Sequence, residues 1–227
     1  MTTNLQIISD LRLLMENQQP IEMLNTYKGA PFVYQGHLAS IRGDHVLVRT
    51  DEPEIVLLQK DRRTEVLGNN FFEPFSAQVS SVDLMQGMAT LYNFSYLGVK
   101  LGERMLARVE PKAPLPVNIL IGRDQIAAEL ADISMNGAGL RIPTDQFTPA
   151  LKPGAVIHIS MELPSGAISA RGAILSAVRA PGRYRFSLRF APDHHFRGVL
   201  FRYLVNRRRE IEAELIEEFD RARNAVT

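Results

Sequence analysis

The sequence predicts a mainly β protein, with two antiparallel β-barrel domains and a long C-terminal helix. Short segments with alternating apolar and polar residues recur at regular spacing in two regions of the chain, separated by glycine and proline turn signals. Beyond residue 193 the apolar residues recur every three or four positions, as in a helix. The 227 residues are enough for two domains, each with its own core.

Composition and charge narrow the class of protein. The hydrophobic content of 45% and the charged content of 22% are ordinary for a globular protein. The absence of cysteine excludes disulfides, thiolate metal sites and cysteine nucleophiles. A formal net charge of +1 argues against general nucleic-acid binding. No apolar run is as long as a membrane span and the first residues do not resemble a signal peptide, so we expect a cytoplasmic protein.

The first domain is predicted to cover residues 1–99. Apolar residues at helical spacing predict a helix over residues 5–17, ended by Pro20. The regular spacing of the segments that follow suggests an antiparallel barrel or sandwich, and the charged cluster at 60–63 is predicted to be a solvated turn. Six runs are predicted as strands, at residues 21–27, 32–41, 45–50, 54–59, 71–84 and 88–99.

The second domain is predicted to cover residues 117–227, after an interdomain linker at 100–116 that three prolines keep extended. Six strands in close succession fit a small closed barrel. A helix of up to about thirty residues follows, for which Asp193 is a plausible N-cap. Its far half either only covers the barrel or also offers a surface for self-association or for a partner. The six strand runs are at residues 117–121, 125–133, 139–143, 157–163, 168–178 and 184–190.

Two short motifs lie in and after the linker. Arg104 and Arg108 form an Arg-x-x-x-Arg pair, and Asp132, Ser134 and Gly137 form an Asp-x-Ser-x-x-Gly motif that starts 24 residues after Arg108. Alone, the first motif is usually a solvated face and the second a turn. Together, in this order and at this distance, they resemble the ligand motif of PilZ domains, which are bacterial β-barrel receptors for cyclic di-GMP.

The ligand that this resemblance implies accounts for the residue types. Cyclic di-GMP carries two phosphates and two guanines, and an arginine can fork onto a phosphate, fork onto guanine O6 and N7, or stack on a base. Asp132 would accept from a guanine N–H edge beside the Ser134 hydroxyl. Gly137 would let the backbone approach the ligand or take a positive φ. The implied ligand-binding residues are Arg104, Arg108, Asp132, Ser134 and Gly137.

The resemblance covers roughly residues 104–190. A strand-rich domain, split-barrel-like in this family, joined to a PilZ domain at the arginine segment is similar to the flagellar-brake (YcgR-like) arrangement. The chain has Glu103 where many relatives carry an additional arginine. An acidic group there would repel the phosphates of a second ligand and so disfavours binding of a stacked ligand pair.

We therefore expect a receptor without catalytic residues, metal ligands or a cofactor, and not an enzyme, since no catalytic motif is present. The alternative is a barrel module that binds protein or single-stranded nucleic acid without cyclic di-GMP.

A ligand that touches both the linker arginines and the barrel would change the arrangement of the domains. The resemblance implies regulation of motility or a related process through a protein partner, the flagellar motor or another effector; a homodimer is a further option.

Overall fold

A computed structural model describes residues 2–50, 53–67, 73–97, 108–192 and 195–225. The chain divides into two compact units, each built around a closed six-stranded barrel. The first unit comprises Met1–Tyr27, Pro31–Met105 and Glu212–Thr227, and the second comprises Lys28–Ala30 and Leu106–Ile211. The predicted fold class, two antiparallel barrels and a long C-terminal helix, is confirmed.

The first barrel has the strand order β1-β2-β3-β6-β5-β4, and β1 pairs with β4 to close it. Its core forms because alternate strand residues turn inward, as Val46 and Val48 do on β3, and Phe75 and Phe94 meet edge to face inside it. Helix α1 (Thr2–Glu16) adds Ile7 to this core. The strands are β1 (Ile21–Tyr27), β2 (Ala30–Arg42), β3 (His45–Arg49), β4 (Arg63–Leu67), β5 (Phe75–Asp83) and β6 (Met88–Tyr96).

One predicted strand of this unit is wrong. Residues 54–59 belong to helix α2 (Glu54–Asp61), and the five residues Glu54 to Leu58 are all buried. When consecutive residues are all buried, the sequence shows no alternation of apolar and polar residues. A short apolar run of this kind is then compatible with either a buried helix or a central strand. The sixth strand is instead β4, part of which was predicted as a solvated turn. Arg62, with a left-handed φ of 53°, ends α2 immediately before it.

The second barrel has the strand order β10-β11-β12-β9-β8-β7, and β10 pairs with β7 to close it. Strand β10 alternates strictly between exposed and buried residues, and on β12 Phe186 and Leu188 lie inside while Arg185 and Arg189 lie outside. This alternation is the pattern from which the strands were predicted. The strands are β7 (Pro116–Ile121), β8 (Asp124–Ser134), β9 (Gly137–Pro143), β10 (Val156–Leu163), β11 (Gly166–Ala180) and β12 (Arg183–Phe190).

Helix α3 (Arg197–Asn224) follows the second barrel. Asp193, the predicted N-cap, lies outside the described residues. In the second unit α3 buries Leu200 and Tyr203. The portion from Glu212 belongs to the first unit, where Phe219 packs against the core. The domain boundaries predicted from the sequence, and a partner surface on the far half of this helix, stay predictions.

Candidate functional site

The site forms around a β-bulge in the second barrel. The register between β8 and β9 shifts between Leu130 and Asp132, so Ala131 is an extra residue on β8. Asp132 then pairs with Gly139, and Ser134 with Gly137. The Asp132 side chain lies on the outer face of the sheet, yet the residue is only 6% exposed. A buried carboxylate is unfavourable unless cations or N–H donors compensate its charge.

The guanidinium groups of two arginines compensate the negative charge of Asp132. The Nη1 atom of Arg108 lies 3.3 Å from Asp132 Oδ1, and the Nη2 atom of Arg185 lies 2.8 Å from Asp132 Oδ2. Each carboxylate oxygen thus accepts from one guanidinium group. The arginine side chains are 50% and 61% exposed, whereas the Asp132 side chain is 9% exposed. The two guanidinium groups are thus accessible to solvent, while the carboxylate that they share is buried.

Backbone contacts place Arg108 beside Asp132. Val109 forms an isolated antiparallel bridge with Ile133, with N–H···O distances of 2.9 and 3.0 Å in the two directions. Both residues are fully buried. The Glu110 N–H donates to the carbonyl of Lys28 at 3.0 Å, within the same unit. The short segment around Arg108 is therefore paired to the end of β8 that carries Asp132.

Ser134 and Gly137 have local structural roles. The Ser134 hydroxyl donates to the Gly137 carbonyl at 3.2 Å across the turn between β8 and β9. Gly137 does not have a positive φ, contrary to one of the two expectations for it. A Cβ atom there would overlap the backbone carbonyl of Leu188 on the neighbouring strand, so glycine is required by strand packing.

Gly139 makes room for the Asp132 carboxylate. A Cβ atom at this position would lie 2.5 Å from Asp132 Oδ2, closer than real contacts allow. Gly139 also stands between Asp132 on β8 and Ser187 on β12, because it pairs with both. Without a side chain on β9 at this point, Arg185 reaches from β12 across β9 to Asp132.

A shallow cavity of about 380 Å³ lies on the same barrel. It includes the pair formed by Arg141 Nη1 and Glu129 Oε1, which are 2.9 Å apart. Arg141 on β9 pairs in register with Arg185 on β12. The cavity therefore lies next to the cluster formed by Arg108, Asp132 and Arg185.

The structure brings together four of the five residues predicted from the motif. Arg108, Asp132, Ser134 and Gly137 lie at one end of β8 and β9, while Arg104 and also Glu103 lie outside the described residues. Arg185 is not part of the predicted motif, although the apolar and polar alternation of residues 184–190 places it on the outer face of β12. Its contact with Asp132 was not predictable, because the two are 53 residues apart and two strands apart in the sheet.

Among the described residues, no group of three or more acidic or histidine side chains is arranged to hold a metal ion. Within the same ranges, no helix combines the length and the apolar character needed to cross a membrane.

The chain thus combines two closed barrels with a pair of exposed arginines that contact a buried aspartate on the outside of the second barrel. Residues 103–206 match the model of the PilZ domain family. The resemblance found in the sequence is thereby confirmed. No curated protein sequence matches the chain.

Several solved structures are similar to the chain at low identity. YcgR of Escherichia coli, solved in complex with c-di-GMP, is 16% identical, with 97% of this chain and 95% of that chain covered and a TM-score of 0.44. The Bacillus subtilis inhibitor of motility (MotI/DgrA) is 13% identical, with coverages of 84% and 94% and a TM-score of 0.43. PlzA of Borreliella burgdorferi, solved with c-di-GMP, is 16% identical, with coverages of 88% and 90% and a TM-score of 0.33.

Proposed function

We propose that this protein is a receptor for cyclic di-GMP and is not an enzyme. The observation that carries the proposal is the contact between Arg108 and Asp132, because it joins the two halves of the PilZ motif in one cluster. An exposed guanidinium held by a buried carboxylate is pre-organised to bind a phosphate or a guanine edge. The proposed ligand-binding residues are Arg104, Arg108, Asp132, Ser134 and Gly137.

Titration calorimetry with cyclic di-GMP and the full chain tests the receptor proposal. We expect saturable binding by the wild type and a loss of roughly 10- to 100-fold in affinity for Arg108→Ala, as for removal of a hydrogen bond to a charged group. Arg171→Ala is the matched control, since Arg171 is exposed on β11, which does not pair with β8 or β9. No saturation by the folded wild type at high micromolar ligand would reject the receptor and favour the module that binds protein or nucleic acid.

We further propose that ligand binding changes the arrangement of the two domains and regulates motility or a related process through a protein partner. This follows from the location of Arg104 and Arg108 in the predicted linker and of Asp132 in the barrel, because a ligand can shift a conformational equilibrium only through differential contacts. Small-angle scattering should change on addition of cyclic di-GMP while circular dichroism stays constant. A scattering profile that does not respond to saturating ligand would contradict the rearrangement. A cytoplasmic location and a homodimer also remain proposals.

A further inference from the structure

We propose that Arg185 is a third arginine of the binding site, contacting a phosphate of the cyclic dinucleotide, and that Asp132 positions Arg108 and Arg185 for it. This inference rests on the proposed function and deepens it. Arg185 belongs to neither half of the sequence motif, and it enters the cluster only through the fold.

The two oxygens of the Asp132 carboxylate contact two different arginines. Arg185 Nη2 lies 2.8 Å from Oδ2, while Arg108 Nη1 lies 3.3 Å from Oδ1. Both oxygens are thus engaged with guanidinium groups. In this arrangement Asp132 orients the two arginines, which differs from the sequence-based expectation that it would accept directly from a guanine N–H edge.

Arg185 on β12 reaches Asp132 across the intervening strand β9. It pairs in register with Arg141 on β9, and its side chain crosses β9 diagonally toward Asp132 on β8. Gly139, on the intervening strand, has no side chain, and a Cβ atom there would collide with the Asp132 carboxylate that Arg185 contacts. Because the buried Asp132 already holds the end of the long Arg185 side chain, this side chain loses less conformational entropy when it contacts a ligand.

Arg108, Arg185 and Asp132 together carry excess positive charge. Two guanidinium groups share one carboxylate, so Asp132 does not neutralise their combined charge. A guanidinium has five N–H donors, and the contact with Asp132 uses one terminal nitrogen of Arg185. Its side chain is 61% exposed, so it is accessible to an incoming phosphate. Forked donors beside excess positive charge are suited to the bidentate geometry of a phosphate.

The test compares Arg185→Ala, Arg185→Lys and the control Arg171→Ala in titrations of the full chain with cyclic di-GMP. We expect affinity to fall at least about tenfold for Arg185→Ala. Arg185→Lys should restore only part of that loss, because lysine keeps the charge without the fork. The control should stay within about twofold of the wild type, and thermal melting should confirm that each variant is folded.

Loss of a phosphate contact should also reduce the salt dependence of binding, because salt screens the attraction between the guanidinium group and the phosphate. The affinity of Arg185→Ala should therefore fall less between low and moderate salt than that of the wild type. If the wild type binds and Arg185→Ala binds equally well with the same salt dependence, the inference is wrong and the proposed function stands. If the wild type itself does not bind, the proposed function fails and this inference fails with it.

Discussion

The Nε atom of Arg207 on α3 donates to the backbone carbonyl of Glu110 at 2.8 Å, while its Nη1 atom lies 3.0 Å from Glu210 Oε2. Arg207 is only 3% exposed, which is unusual for an arginine. Glu110 is two residues from Arg108 and next to the bridge residue Val109. Residues 108–110, called the motif segment below, are therefore held by the barrel through Val109 and by the first half of α3 through Glu110, within one unit.

Replacing Arg207 by alanine should loosen the motif segment. The Glu110 carbonyl would lose its donor and the helix a buried side chain, so we expect a loss of about 1–3 kcal/mol in unfolding free energy and several-fold weaker binding of cyclic di-GMP. Hydrogen exchange at the Val109 and Glu110 amides should increase. Arg208→Ala, an exposed neighbour on α3, is the control. Equal exchange in the two variants would show that Arg207 does not hold the segment.

Gly139→Ala should damage the site more than the fold. The new methyl group would displace the Asp132 carboxylate, which can move by rotating its side chain, and both arginines would lose their anchor. We expect at least about a tenfold loss of affinity for cyclic di-GMP in calorimetry, with only a small drop in melting temperature. Gly198→Ala makes the same chemical change where nothing lies within 4 Å in helix α3, and it should stabilise the protein by about 0.5–1 kcal/mol. Unchanged affinity in Gly139→Ala would contradict the positioning role of Asp132.

Glu54 should make the stability of the first unit depend on pH. It is fully buried, and neither of its side-chain oxygens has a hydrogen-bond partner among the described residues. Burial, reinforced by the nearby charge of Asp61, raises the pKa of Glu54 from 4.5 to about 9. The folded state therefore holds the Glu54 proton more tightly than the unfolded chain does. The resulting stability is fully present below pH 4.5 and is lost progressively as the pH rises to about 9.

At pH 7 this loss amounts to about 3 kcal/mol relative to the acid limit. Because Glu54→Gln cannot ionise, its unfolding free energy, measured with urea, should decline less than that of the wild type between pH 5 and pH 9. Glu16→Gln, on an exposed position of α1, should follow the wild type. Parallel curves for the wild type and Glu54→Gln would show that Glu54 titrates normally.

Tyr27 should stabilise the last turns of α3 within the first unit. Its hydroxyl donates to Glu218 Oε2 at 2.7 Å, and Lys60 Nζ lies 2.6 Å from Glu218 Oε1. Burial alone would raise the pKa of Glu218, but the hydrogen bonds from Lys60 and Tyr27 outweigh it and leave that pKa lowered. Tyr27→Phe should cost about 1 kcal/mol and increase hydrogen exchange in residues 215–224. Tyr92→Phe, the control, removes a hydroxyl from another strand of the same barrel. If it has the same effect on these amides, the contact between Tyr27 and Glu218 does not specifically stabilise the end of α3.

The two barrels, the long helix and the motif residues could be predicted from the sequence alone, because each of them corresponds to a local pattern of residues. Strand alternation, as on β10 and β12, follows from the two faces of a sheet and needs no knowledge of the neighbouring strand. The run from Glu54 to Leu58 could not be assigned in this way, since burial on every side removes the periodicity that separates a helix from a strand.

The contacts between side chains that are distant in the sequence could not be predicted without the fold. The pairing of Arg185 with Asp132 depends on the strand order β8-β9-β12, on the bulge at Ala131 and on the missing side chain at Gly139. The anchoring of Glu110 by Arg207 likewise joins residues 97 positions apart. Such contacts are set by the closure and register of the barrel, which bring together residues that share no local pattern in the chain.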